Sequence, residues 1–177
     1  MNEIVNEYGS GLFALAEEEK LTVQFLHQVR VLAPLFTDEY VHLLINPDIA
    51  KEERVALVGE ALAGQVHTYL VNFVKLMTER GLATEIKPCF AEYERLYYET
   101  TGIVRVTAES AVALTDDQKA RLESKLASHL GHPVEVSYRI TPALLGGMRL
   151  SYNNKRIDSS VASRLKEIGD RLAGITV

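Results

Sequence analysis

Residues 144–165 read LLGGMRLSYNNKRIDSSVASRL, and three kinds of local structure follow one another in this stretch. Apolar and polar side chains alternate from Met148 to Tyr152, which is the period of a half-buried β-strand. The pair Asn153-Asn154 favours a turn, because asparagine tolerates positive φ and hydrogen-bonds its own backbone. We therefore expect a short strand that ends in a turn.

A helix is predicted after this turn, with Asp158 as its N-cap. The carboxylate can accept hydrogen bonds from free N–H groups of the first turn and faces the positive end of the helix dipole. Apolar side chains then recur at spacings of four, three and four residues, which makes one face of that helix apolar; they are Val161, Leu165, Ile168 and Leu172. Before the strand, Gly146-Gly147 indicates a bend or a close backbone approach, because the lysine and strand-loop-helix context of a phosphate loop are missing.

This stretch resembles the C-terminal signature of the delta subunit of F-type ATP synthases, called oligomycin-sensitivity-conferring protein in mitochondria. The signature has an apolar pair, Gly-Gly, a short strand, a turn, and then Ile-Asp-Gly-Ser before an apolar helix. Its counterparts here are Leu144, Leu145, Gly146, Gly147, Ile157, Asp158, Ser160 and Leu165. The chain departs from the family at Ser159, where glycine is usual, and at Thr141-Pro142, where an acidic residue is common.

Composition limits what the chain can be. Its 177 residues suffice for one domain or two small ones, and 47% hydrophobic residues allow a real core. The single cysteine, Cys89, excludes an internal disulfide and a cysteine-rich zinc site. The N-terminus is acidic and lacks the features of a secretory signal, and no apolar run approaches the roughly 18 residues of a membrane span. We expect a soluble, cytoplasmic protein.

Charge differs between the two parts of the chain. Residues 1–98 hold 8 basic and 15 acidic side chains, whereas residues 99–177 hold 11 and 9. Nucleic acid requires a basic footprint, so the acidic part argues against it as a partner. The asymmetry suggests two surfaces with different partners.

The first part of the chain has helical periodicity. Apolar residues recur at three- and four-residue spacing, and capping residues, proline and glycine separate the repeats. Six helices are predicted, over about residues 5–15, 21–36, 37–46, 49–62, 66–81 and 84–99. Asp48 is the expected cap of the fourth, and Pro34 should disturb the last turn of the second. Short connections between six helices imply a compact bundle over residues 1–99.

The period changes at Thr100–Gly102. A strand is predicted from Ile103 to Ala108, and a capping box begins the next helix, which Gly131 ends. A second strand follows over residues 134–140, before the strand, turn and helix described first. The predicted fold is thus α+β, mainly α: a six-helix bundle, then a small α/β unit over residues 100–177 in the order strand-helix-strand-strand-helix.

With this order of elements, the resemblance to the delta subunit covers nearly the whole chain. It implies a non-catalytic stator protein that links the catalytic head to the peripheral stalk, so that the head does not turn with the rotor. The implied partners are the alpha subunits of the head for residues 1–99 and the b subunits of the stalk for residues 100–177. The implied location is the cytoplasmic face of a bacterial cell membrane, with membrane association only through the complex.

A groove between the first and fifth helices is the predicted partner site. Both helices carry more apolar residues than one bundle face requires, which suits an amphipathic helix, here the start of an alpha subunit by resemblance. The predicted lining residues are Tyr8, Gly11, Leu12, Leu15, Leu70, Val74 and Met77. The glycines Gly9 and Gly11 indicate either a close approach by another backbone or a helix that is frayed or begins late.

No catalytic, cofactor or metal site is predicted. The histidines lack an HExxH spacing or a carboxylate placed as a third ligand, and no G-x-S-x-G elbow is present. Cys89 is interpreted as a small core residue. Two alternatives remain from the residues alone: a soluble helical adaptor of another complex, and a small enzyme or ligand-binding protein that uses the α/β unit.

Overall fold

The computed structural model describes residues 2–173, which divide into two compact units, the first ending at Thr100 and the second beginning at Thr101. The fold is α+β: mainly helical, with a small mixed four-stranded sheet in the second unit. Among the described residues, no helix is both long and apolar enough to cross a membrane.

Six α-helices lie in the part of the first unit that the structure describes. They are α1 Glu3–Glu18, α2 Thr22–Leu32, α3 Asp38–Ile45, α4 Lys51–Leu62, α5 Thr68–Glu79 and α6 Ile86–Thr101. Short 3₁₀ turns at Ala33–Leu35 and Ala83–Glu85 follow α2 and precede α6. The predicted second helix is therefore too long, because Pro34 has no N–H and tightens the chain into a 3₁₀ turn.

Side-chain caps begin several of these helices. Asn2 accepts a hydrogen bond from the Ile4 N–H at α1, and Thr37 does the same for Tyr40 at α3. The prediction of Asp48 as the cap of α4 was wrong. The N–H of Asp48 instead donates to the side-chain oxygen of Asn46, so the residue belongs to the turn before the helix.

The core of the first unit is aromatic. Phe25, Phe36, Phe90 and Tyr93 are almost completely buried, and each is worth about 1.5–3 kcal/mol of hydrophobic stabilisation. Phe36 and Phe90 meet edge to face with ring centroids 6.0 Å apart. The Tyr93 hydroxyl donates to the carbonyl of Thr22 at 2.9 Å, so the ring is buried without leaving its polar end unpaired.

The second unit contains four strands and two helices. They are β1 Val104–Ser110, α7 Asp116–Leu130, β2 Val134–Ile140, β3 Met148–Tyr152, β4 Lys155–Asp158 and α8 Val161–Ala173. The strand order is β2-β1-β3-β4; β1 and β2 are parallel, joined through α7, and the other pairs are antiparallel. The capping box of α7 is present: Thr115 accepts from the Gln118 N–H and Gln118 from the Thr115 N–H.

The structure contains a strand, β4, that the sequence did not predict. The order of elements in the second unit is therefore strand-helix-strand-strand-strand-helix. Asn153 and Asn154 have φ of 43° and 59°, which is the geometry of a two-residue hairpin turn, and Tyr152 pairs with Lys155 across it. The strand was missed because Ile157 is the single apolar side chain among its four residues. This strand forms because it pairs with β3, and its own sequence has no hydrophobic alternation that would predict a strand.

Asp158 is consequently not the N-cap of the last helix. It ends β4, accepts from Arg149 Nε at 2.8 Å and accepts from the Ser160 N–H at 3.0 Å. The capping role belongs to Ser160, whose hydroxyl accepts from the Ser163 N–H at 3.2 Å. Hydrogen bonds from the hydroxyl and the N–H of Ser160, followed by that from Arg149, lower the pKa of the Asp158 carboxyl to about 2.

The glycine pair lies against the turn between β4 and α8. Gly147 has φ of 75°, and a Cβ at this position would lie 2.5 Å from the carbonyl oxygen of Ser159. A Cβ at Gly146 would meet the Val161 side chain at 3.1 Å. On α8 itself, the side chains of Val161 and Leu165 are 43% and 55% exposed. The side chains of Ile168 and Leu172, which were predicted to continue the apolar face, lie outside the described part of the chain.

Candidate partner-binding groove

A groove of about 470 Å³ lies between α1 and α5 in the first unit. Apolar and aromatic side chains form most of its lining, together with three charged or amide-bearing groups, Glu7, Asn72 and Arg80. The lining residues are Glu7, Tyr8, Gly11, Leu12, Leu15, Tyr69, Asn72, Phe73, Leu76 and Arg80.

The α1 side of the groove carries the residues expected from the sequence. Tyr8, Gly11, Leu12 and Leu15 all line it, because spacings of three and four residues place them on one helix face. A Cβ added at Gly11 would meet nothing within 4 Å, so this position opens directly onto the groove. A backbone that approaches α1 from outside would come closest to it here.

The α5 side differs from the prediction. Leu70, Val74 and Met77 are completely buried and lie in the core, so they do not line the groove. The lining residues on this helix are Tyr69, Asn72, Phe73, Leu76 and Arg80. Tyr69, Phe73 and Leu76 each lie one residue, about 100° around the helix, before a predicted lining residue. Apolar side chains therefore form two neighbouring stripes on α5, one facing the core and one facing the groove. Periodicity therefore could not distinguish the core-facing stripe from the groove-facing one.

Hydrogen bonds join the two helices at both ends of the groove. At one end, Arg80 Nη1 donates to the Tyr8 hydroxyl at 2.5 Å, and its guanidinium lies 5.8 Å from the centre of the Tyr8 ring. At the other end, the Tyr69 hydroxyl donates to the Glu19 carboxylate at 3.1 Å. This hydrogen bond, with the negative charges of Glu19 and Glu18, raises the pKa of Tyr69.

The other glycine of α1 faces α6. A Cβ at Gly9 would lie 2.8 Å from both Cβ and Cγ of Glu92 and 3.1 Å from the carbonyl oxygen of Cys89. Glu92 is nearly buried there and is held by Arg95 at 2.6 Å. Gly9 thus permits close packing of α1 against α6, whereas Gly11 faces open space. The two glycines therefore have different structural roles.

Reactive groups are not gathered around this groove. Cys89 is fully buried, and desolvation, with the charges of Glu85 and Glu92, raises the pKa of its thiol to about 11. A thiol in that environment is a packed core group and not a nucleophile. Among the described residues, no three His, Cys, Asp or Glu side chains are grouped to hold a metal ion. The groove can hold an apolar helix face, and its polar edges can orient it.

Known proteins resemble this chain along nearly its whole length. A family model described as the ATP synthase delta (OSCP) subunit matches residues 4–172. An ATP synthase subunit delta of Prochlorococcus marinus is 31% identical over 175 residues, 96% of each chain. One from Trichodesmium erythraeum is 30% identical and covers 94% of this chain, with 93% of its own length matched.

The fold has a counterpart in a solved structure. A chain in the cryo-EM structure of the Toxoplasma gondii mitochondrial ATP synthase hexamer matches with a TM-score of 0.67 and 12% sequence identity. The match covers 97% of this chain and 98% of that one. At that identity the likeness concerns the fold, while the family model and the cyanobacterial relatives establish the relationship. The chain therefore belongs to the ATP synthase delta (OSCP) subunit family, whose members are non-catalytic components of the peripheral stalk.

Proposed function

We propose that the first unit folds as a six-helix bundle and holds the catalytic head of an F-type ATP synthase. In this proposal the N-terminal helix of an alpha subunit occupies the groove between α1 and α5. The second unit binds the b subunits of the peripheral stalk. The chain associates with the cytoplasmic face of the membrane only through this complex.

The mechanical role follows from rotation. A shaft that turns inside the catalytic head exerts an equal and opposite torque on it, and an unrestrained head would turn with the shaft. A stator protein resists that torque by tight binding at both of its ends, without chemistry of its own. Nanomolar binding corresponds to about 12 kcal/mol, and stable interfaces generally exceed about 1,000 Å² in total.

The observation that carries the alpha-subunit proposal is the open apolar groove. Leu76 is 37% exposed at its edge, and Phe73 and Tyr8 are half-buried, so an apolar helix face would remove further apolar surface from water. A helix with anchors at i, i+3, i+4 and i+7 fits a groove of this kind. Gly11 leaves room for its backbone.

Exposed apolar residues of the second unit support the stalk-binding role. Four of them, on the connection before β3, on β4 and on α8, are Leu145, Ile157, Val161 and Leu165. Val112 and Ile140 are exposed as well. An apolar surface of several side chains suits a protein partner better than solvent. Membership of a stalk-subunit family makes the b subunits the natural occupants.

A single charge placed in the groove tests the head-binding role. Leu76→Glu should weaken binding of the full chain to purified catalytic head at least tenfold, about 1.4 kcal/mol, because a carboxylate would have to be desolvated under the guest helix. Leu57→Glu on α4 is the matched control, since Leu57 is 36% exposed and lies outside the groove. Equal affinity of both variants and the parent would mean that the head binds elsewhere.

Truncation tests the division of labour. A chain that ends after Thr101 should bind the head like the parent, yet leave ATP-driven proton pumping uncoupled in membranes reconstituted with the remaining subunits. Normal pumping with this truncated chain would show that the second unit is not the stalk attachment.

A further inference from the structure

Basic side chains line a second groove, on the β-sheet of the second unit. It consists of two pockets of about 560 and 450 Å³, and Arg156 lines both of them. Arg105 and Lys155 line the first pocket, beside the turn between β3 and β4. Arg149 of β3 and Lys166 of α8 line the second. We call the two pockets together the basic groove.

The strand register explains why these side chains lie together. Arg156 pairs with Ser151, and Ser151 pairs with Thr107, so the three lie in one row on one face of the sheet. Arg105 lies two residues before Thr107 and so shares this face. Arg149 lies two residues before Ser151 and shares it too. The short side chain of Ser151 leaves a low floor between the longer basic ones.

Acidic side chains do not neutralise the basic groove. Asp158 is the acidic residue of its lining, and Arg149 already binds the carboxylate through Nε at 2.8 Å. Lys155, Arg156 and Lys166 are exposed, and none of the three forms an ion pair with any residue that the structure describes. Three positive charges therefore remain available to an external anion.

The shape of the basic groove favours an elongated ligand. Both pockets are open to solvent and lie on the same face of the sheet. Adjacent strands are about 4.8 Å apart, so the groove spans roughly 10 Å from β1 to β4 before it continues to α8. A single phosphate would fill one pocket. An extended chain with carboxylates at alternate residues, about 7 Å apart, can follow the groove past all three unpaired cations.

We propose that the basic groove binds an acidic, extended peptide segment of a partner protein, with at least three carboxylates. The positive potential attracts such a segment from solution and repels basic ones, which gives specificity. Ala162 and Ser163 of the first turn of α8 line the second pocket, so the positive end of that helix adds to the potential. The inference goes beyond the proposed function, since none of the four apolar residues assigned to the b subunits lines the basic groove.

Two labelled peptides test the proposal, by fluorescence anisotropy with the full chain. Each has about 12 residues and is roughly 40 Å long when extended. The acidic peptide has glutamate at alternate positions with serine between, and the neutral peptide has glutamine in place of every glutamate. The acidic peptide should bind at least tenfold more tightly at low salt. In about 0.5 M salt this advantage should fall severalfold, because exposed charges are screened.

Two double variants with the same change in charge locate the binding site. Lys155→Gln with Arg156→Gln should weaken the acidic peptide about fivefold, since two exposed ion pairs are lost. Arg121→Gln with Lys125→Gln, at exposed positions of α7 outside the basic groove, should bind it like the parent. Circular dichroism confirms that both variants are folded. In NMR spectra of the parent, the acidic peptide should shift the amide signal of Ser151.

Three results would overturn the proposal. Equal affinity of the two peptides would mean that carboxylates are not recognised. Equal weakening by both double variants would mean that the peptide responds to the net charge of the chain and not to this groove. The third result concerns pyrophosphate, added as a competitor: if it binds more tightly than the acidic peptide and depends on Lys155 and Arg156, the groove is a phosphate site. Binding of the catalytic head and of the b subunits is measured separately, so none of these results alters that proposal.

Discussion

Arg80 and Tyr8, 72 residues apart in sequence, are joined by a hydrogen bond of 2.5 Å and a cation–π contact of 5.8 Å at one end of the groove. The pair connects the end of α5 to the first half of α1. It therefore bridges the two helices at one end of the groove, and the hydrogen bond between Tyr69 and Glu19 bridges them at the other end.

The two parts of this contact can be separated by mutation. Tyr8→Phe keeps the ring under the guanidinium but removes the hydroxyl, so it should lower the free energy of unfolding by about 0.5–1.5 kcal/mol. Tyr8→Leu loses the cation–π contact as well and should cost about 0.5–1 kcal/mol more at this partly exposed site. Urea unfolding followed by circular dichroism measures both. Identical stability of the two variants would show that the ring contact contributes nothing.

Gly9 and Gly11 should respond to alanine with opposite signs. At Gly11 the new methyl group meets open space, so Gly11→Ala should stabilise α1 by about 0.5–1 kcal/mol. At Gly9 the same gain is opposed by contacts of 2.8 Å with Glu92, and overpacking typically costs about 1–3 kcal/mol. Thermal unfolding of the two variants provides the comparison, and each serves as the other's control. Stabilisation by Gly9→Ala would mean that α6 moves aside easily.

The carboxylate of Asp158 should make the stability of the folded protein depend on pH in the acid range. Its folded pKa of about 2 lies below the ordinary value of 3.8, so its carboxylate stabilises the folded state above pH 4 and loses this effect as pH falls through the folded pKa. The difference in urea midpoint between the parent and Asp158→Asn should be largest near pH 7 and should shrink between about pH 5 and pH 2.

The control for this experiment is Asp117→Asn, the same change at an exposed position in the first turn of α7 in the same unit. If the difference in urea midpoint between the parent and Asp158→Asn stays constant down to pH 2, the carboxylate acts through its shape in the turn after β4 and not through its charge.

Much of the fold could be predicted because its signals are local. The capping box at Thr115 and Gln118, the alternation in β2 and the glycine after α7 each specify structure from a few neighbouring residues. Strand β4 has no such signal, since three of its four side chains are polar. It exists because the turn at Asn153 and Asn154 folds it back onto β3, and pairing of that kind depends on the partner strand.

Prediction of the groove residues from the sequence meets the same limit on a helix. On its α1 side, the spacing of Tyr8, Leu12 and Leu15 predicted the lining residues, although the neighbouring Phe13 is apolar too and is buried in the core. On α5, Phe73 and Val74 are adjacent and both apolar, yet Val74 is fully buried and Phe73 lines the groove. Which of two neighbouring stripes faces the core depends on the position of the other helices, and this information is not present in the period of α5 alone.

The first unit should fold by itself. Its largest buried side chains contact one another within residues 1–100, and α6 continues to Thr101, so a fragment of residues 1–101 retains every helix of the unit. Circular dichroism should show a nearly all-helical spectrum and a cooperative thermal transition. A disordered spectrum, or a large strand content, would place the boundary of the folding unit elsewhere.

Gly11→Trp provides the sharpest test of the groove as a binding site. Because a Cβ at this position meets nothing within 4 Å, an indole can point into the groove without disturbing α1, and tryptophan has a higher helix propensity than glycine. The variant should melt no lower than the parent, yet bind the catalytic head at least tenfold more weakly, about 1.4 kcal/mol. Ala14→Trp, at an exposed position of α1 outside the groove, adds the same bulk and should bind like the parent. If the folded Gly11→Trp variant binds the head as tightly as the parent does, Gly11 does not lie in the interface. A guest helix could not pack over the indole ring without moving.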